Sequence, residues 1–311
     1  MSNRPFLRVA ELWRPTADRR QIELAGGLYG ENVRFAATSR GMRFAPGEGL
    51  PGQAWQQARP LVLKDLGGSS FSRGEAAELD QLSCAVAVPF HAHGEVAAVV
   101  LLLCGLDRFR AGAVELWRSV ADRPMALVDG YFGFSRAFEA LARESRFARG
   151  EGLPGRAWAS GRPEIVADLA ADPGFVRQEA AARIGVERGV ALPLAMGDGA
   201  AWVMALFSAG HSPLAQRFEH WRVDGAGGLV FGGGYCESGE DLAATYAGTV
   251  LPGDAGALGE AIGRGAPALA TDFAAQPAPW ANAAKTLGFA GVLVLPVSEG
   301  GRVVAVLACY L

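Results

Sequence analysis

Cys84, Cys104, Cys236 and Cys309 are the thiols available for redox or nucleophilic work in this 311-residue chain. They are widely spaced, form no Cys-x-x-Cys and have no neighbouring histidine, so they are expected to act as small buried hydrophobes. His91 and His93 stand two apart near a hairpin turn, where two imidazoles on one side could begin a metal site, but no third ligand is evident. The segment from Gly47 to Gly52, Gly-Glu-Gly-Leu-Pro-Gly, is a candidate phosphate cradle at a helix start. It lacks the Gly-Lys-Ser/Thr continuation and carries a glutamate that would repel phosphate, so a structural role is expected. Four scattered histidines support no nucleophile–base pair. The expectation is a protein without catalytic residues, metal or cofactor, and not an enzyme.

Composition removes further classes. The net charge is −3, without the basic surplus of a nucleic-acid binder. The longest strongly apolar run, residues 96–104, is far short of the roughly 20 residues that span a bilayer as a helix. The N-terminal residues carry no secretory pattern, so cytoplasmic residence is expected. Lys64 and Lys285 are the only lysines among 29 basic residues, a composition expected of a GC-rich bacterial genome.

Three copies of one unit fill the chain. Glu11-Leu12-Trp13-Arg14 recurs as Glu115-Leu116-Trp117-Arg118 and as Glu219-His220-Trp221-Arg222, with the tryptophans 104 residues apart. The block from Phe44 to Trp55 returns from Phe147 to Trp158 and survives in eroded form from Ala255 to Ile262. A proline and a short apolar stretch then end in Asp65, Asp168 and Asp272. Each copy closes with a Val-Pro or Leu-Pro hairpin. The glycine run 225–234, which superficially suggests a dinucleotide fingerprint, falls by this alignment on a hairpin and second strand, not on a strand-to-helix turn.

Within a unit, alternation predicts strands over 7–14 and 21–25. A less regular segment follows, then a helix over 50–58 that Pro60 ends, a short strand over 61–63, an alanine-rich helix and a closing hairpin. Strand, strand, helix, strand, helix, strand, strand is an α+β pattern with a mainly antiparallel, five-stranded sheet and helices on one face.

The Glu-Leu-Trp strand, Gly-x-Gly-Leu-Pro-Gly helix entry, Pro-to-Asp strand and Val-Pro hairpin, in that order, resemble the GAF domains attached to bacterial histidine kinases. The resemblance covers residues 4–106, 110–210 and 214–311, the last being degenerate, and the helices that usually flank such domains are not evident. It implies a regulatory module that binds a small molecule, a signalling protein or both. The pocket of that family lies between sheet and helices. Its candidate lining is Trp55, Asp65, Phe71 and Arg73 in the first copy and Trp158, Asp168, Phe175 and Arg177 in the second, an aromatic wall plus arginine suited to an anionic or planar ligand. The second, most regular copy is the expected binder. Core packing for the aromatics and helix capping for the aspartates are the plainer readings. Two other functions stand beside the sensor: a ligand-free structural adaptor, and a thiol-based reductase of methionine sulfoxide drawing on Cys84.

The closing strands, 96–102 and 303–308, are apolar at every position, which implies burial on both faces. With helices on one face only, the other is expected to pack within the chain, back to back, or across a homodimer.

Overall fold

A computed structural model describes residues 5–69, 71–105, 112–133 and 135–311; the junction of the first and second copies, 106–111, lies outside the described residues. The first copy runs β1 (Leu7–Pro15), β2 (Ile22–Leu28), α1 (Val33–Ser39), β3 (Arg43–Phe44), α2 (Gly49–Gln57), β4 (Leu61–Leu63), α3 (Gly74–Leu79), β5 (Leu82–Ala92) and β6 (Glu95–Gly105). The second repeats this as β7 (Gly112–Ser119), β8 (Met125–Tyr131), α4 (Arg136–Glu144), β9 (Arg146–Phe147), α5 (Gly152–Ser160), β10 (Glu164–Val166), α6 (Gln178–Arg183), β11 (Arg188–Leu194) and β12 (Ala201–Ser208). The third runs β13 (Arg217–Val223), β14 (Leu229–Cys236), α7 (Leu242–Thr245), β15 (Val250–Leu251), α8 (Gly256–Arg264), β16 (Ala268–Ala270), α9 (Ala278–Leu287), β17 (Val292–Glu299) and β18 (Arg302–Tyr310).

Each copy therefore holds one antiparallel sheet of six strands, not five. The additional strand is the two-residue β3, β9 or β15, which pairs with the second strand of its copy and is too short to show alternation. The less regular segment before it contains a further short helix, α1, α4 or α7. Strand order is β3-β2-β1-β6-β5-β4 in the first copy, so the first and last long strands are central neighbours.

One face of each sheet carries the helices. Val9, Trp13, Ala85, Ala87, Val99, Leu101 and Leu103 form a core with Phe35 of α1, Leu50 and Ala54 of α2 and Ala77 of α3. The alternate residues of the same strands, Ala10, Leu12, Val86, Val88, Ala98, Val100 and Leu102, are also almost fully buried. Burial of both faces matches the unbroken apolar pattern of the closing strands.

The chain divides into two compact units. One is built on the second copy, to which Phe6 belongs: its amide donates to the Pro213 carbonyl, at 2.6 Å. The other joins the first and third copies, residues 7–105 and 215–311. Within it, Arg14 Nη2 donates to Glu260 Oε1 at 3.0 Å and to the Pro267 carbonyl at 3.2 Å. Leu28 packs where any side chain on Gly291 would stand. Among the described residues no helix is long and apolar enough to cross a membrane.

Candidate functional site

The glycine-rich block is a self-capping turn. Glu48 accepts from the Ala45 amide through its side chain, at 2.9 Å, and Glu151 does the same for Ala148, at 3.0 Å. Gly52 lies so close to the loop that an added Cβ would stand 2.3 Å from the Ala45 carbonyl oxygen, and at Gly155 the corresponding distance is 2.2 Å from Ala148. The glycine admits the carbonyl of its own entry loop rather than the sheet, and the glutamate that would repel phosphate is the loop's clasp.

Asp65 and Asp168 are exposed and accept from backbone amides of the following turn: Gly68 for the first, Ala170 and Ala171 for the second. Asp272 serves Ala274 in the same way. Trp55 and Trp158 are half-buried at the margins of their cores. Phe71, Arg73, Phe175 and Arg177 are buried, and the two arginines sit immediately before α3 and α6.

Those arginines meet a partner that sequence reasoning passed over. Arg73 Nη1 donates to Glu11 Oε1 at 2.7 Å, with both side chains fully buried. Arg177 holds Glu115 through two bonds, Nη1 to Oε1 at 2.6 Å and Nη2 to Oε2 at 2.8 Å. The glutamate of each Glu-x-Trp motif also accepts from the indole of its own tryptophan, at 3.1, 2.8 and 2.9 Å in the three copies. A register shift falls immediately before each tryptophan, so the same β-bulge shapes the motif every time. The signal available in sequence was a glutamate two residues before a tryptophan at the same place in all three copies.

The third copy keeps the glutamate and moves the cation. Pro277, not an arginine, precedes α9, and Arg217, two residues before Glu219, takes over: its Nε donates to Glu219 Oε1 at 2.6 Å, its Nη1 to Glu240 and its Nη2 to Tyr246. Tyr246 and Tyr310 both donate to Glu219. Burial, together with that carboxylate, pushes both phenols far above the ordinary tyrosine range, so they stay protonated donors.

The guanidinium groups rest on aromatic rings. Arg73 lies 4.4 Å from the centre of Phe35 and 5.2 Å from Phe71; Arg177 lies 4.7 Å from Phe138 and 5.4 Å from Phe207. The arrangement holds a cation and an anion of the chain's own in a dry aromatic setting.

The thiols stand elsewhere. Cys84 faces Cys104 across β5 and β6, at positions alternating with the helix-side residues Ala85 and Leu103. All four cysteines are buried and free, and burial pushes the thiols of Cys84 and Cys309 well up. His91 lies on β5 and His93 in the turn after it. The glycine run occupies the β13–β14 turn and β14, with Gly234 opposite Glu219.

A surface pair beside the second copy's site gives a pH signature. Arg156 grips Asp172 through two bonds, at 3.0 and 2.5 Å. The arginine's hydrogen bonds, helped by the Gly174 amide, hold the carboxyl below its usual range. A depressed folded value means stabilisation that is complete above the unfolded value, near 4, and lost as pH falls through the folded one. Urea unfolding from pH 7 to pH 3 is expected to show a shallower acid loss in Asp172→Asn than in the parent chain; equal slopes would contradict the assignment.

The family model of the GAF domain matches residues 122–218, from the β7–β8 turn of the second copy to the start of β13 in the third. A search of curated proteins returns no match. Among solved structures, the nlh2 GAF domain of A. aeolicus in an inactive state is similar at 21% identity, over 32% of this chain and 59% of that one, with a TM-score of 0.27. A GAF domain/HD domain protein from Geobacter sulfurreducens is similar at 22% identity, over 44% and 74%, with a TM-score of 0.27. Free methionine-R-sulfoxide reductase from Neisseria meningitidis is similar at 17% identity, over 33% and 53%, with a TM-score of 0.25. The chain thus spans 59% of the length of the A. aeolicus structure.

Proposed function

We propose that the chain is a cytoplasmic, non-enzymatic sensory or regulatory protein, in which a helix-covered sheet binds a small molecule and the output passes through contact with a signalling protein or with a second copy of the chain. The observation that carries this reading is the buried Arg–Glu pair on the helix side of each sheet. An ion pair in a dry core costs several kcal/mol of desolvation and is weak evidence of stability, so its presence in all three copies asks for another role. The GAF match over residues 122–218 supports the same role.

The reductase alternative is disfavoured by the thiols. A thiolate is the nucleophile in such chemistry, and a buried thiol with a raised pKa supplies little of it. Cys84 and Cys104 also alternate with the helix-side residues instead of sharing their face. The adaptor reading finds support in the third copy alone, where tyrosines fill the space around Glu219.

Native mass spectrometry of freshly purified protein tests the proposal. A small molecule that stays bound and is lost on unfolding is the expected result. Thiol-dependent reduction of methionine sulfoxide, abolished by Cys84→Ser, would overturn it.

A further inference from the structure

We infer that the first copy is the binding module, and that it takes a small carboxylate through Nε and Nη2 of Arg73. The inference rests on the sensory reading above and names its ligand class and its module.

The three arginines differ in how far they are satisfied. Arg217 has bonds on Nε, Nη1 and Nη2. Arg177 spends both Nη atoms on Glu115, leaving Nε. Arg73, only 2% exposed, spends Nη1 alone, on Glu11 and Ser39, and both Nε and Nη2 are without a hydrogen-bond partner. Those two nitrogens form one edge of the guanidinium, with N–H bonds running parallel. Two parallel donors fit a planar group with two acceptor oxygens, and a charged carboxylate gives the stronger pair of bonds. An isolated buried donor edge is costly, which makes its retention informative.

Two residues explain why Glu11 leaves that edge uncommitted. Counting from the strand partner of the glutamate, Tyr29 corresponds to Phe132 and Cys236. Counting back from Phe44, Phe147 and Leu251, Ser39 corresponds to Ala142 and Tyr246. Tyr29 donates to Glu11 Oε1 at 3.1 Å, so that carboxylate shares its charge among Arg73, Tyr29 and Trp13. Ser39 draws Arg73 Nη1 to 2.6 Å. The second copy lacks both hydroxyls, and there the glutamate takes the arginine end-on. Gly27 makes room for Tyr29, whose ring would lie 2.4 Å from any Cβ placed there.

Titration of the full chain with ¹³C-acetate, at ionic strength fixed with chloride, tests this. The expected result is one saturable site per chain and no saturation by acetamide. Arg73→Lys keeps the charge but loses the paired donors and should weaken acetate at least about tenfold; Arg177→Lys should not. Should Arg73→Lys fail to fold, Tyr29→Phe with Ser39→Ala imposes the second copy's pattern and should weaken acetate to a similar degree. Acetate binding unchanged by both sets, or equal binding of acetamide, would overturn the assignment. A co-purified small molecule retained by Arg73→Lys would also overturn it while leaving the sensory reading intact, whereas no co-purified molecule together with no acetate binding would remove both.

Discussion

Glu115→Ala is expected to lower the stability of the second copy by about 3–5 kcal/mol, the cost of leaving one member of a buried ion pair alone. Arg177 would keep its charge, enclosed by Phe138, Phe175 and Phe207, with neither carboxylate oxygen to receive its two Nη bonds. The indole of Trp117 would lose its acceptor as well. Replacing both members, Glu115→Leu with Arg177→Met, should recover most of that loss, because a packed apolar pair carries no desolvation cost. Urea unfolding of the two single variants and the double variant forms a cycle that isolates the coupling. Additive losses would mean that the pair does not act as a unit.

Gly155→Ala is the second large effect, expected to cost about 1–3 kcal/mol despite adding one methyl to a helix. Helical propensity alone favours alanine over glycine by about 1 kcal/mol. Here the new Cβ would stand 2.2 Å from the Ala148 carbonyl, a backbone atom that cannot swing away. Moving the loop would also strain the bond from the Gly150 amide to the Gly155 carbonyl, at 2.8 Å. Gly161→Ala, where nothing lies within 4 Å but φ is +62°, makes the comparison and separates a steric clash from left-handed backbone strain. Thermal unfolding reads both, and a stabilised Gly155→Ala would refute the contact.

Repetition made the fold legible. Glu11, Glu115 and Glu219 with their tryptophans, and the recurring glycine block, set three like units in register. The two-residue β3, β9 and β15 escaped because a strand that short carries no period. Of the residues named from sequence, Phe71 meets Arg73 in the first copy and Phe175 meets Arg177 in the second, each arginine on a buried glutamate, whereas Asp65 and Asp168 turn to backbone amides. The glutamates were missed because partners 62 residues apart meet only through the sheet. Arg217 was missed because the third copy supplies its cation from the glutamate's own strand, β13, and not from the residue before a helix, a substitution invisible to position-by-position comparison.

The amide of Phe6 bonds the Pro213 carbonyl in one unit, while Leu7 already opens β1 of the other. Ancestral seams and cooperative seams therefore do not coincide in this polypeptide. Scissors guided by the duplications would yield three fragments, each deprived of something: the opening fragment would lack its Glu260 and Pro267 contacts, and the middle one its Phe6 clip. Dissection should follow the mechanical partition instead, with head and tail kept together.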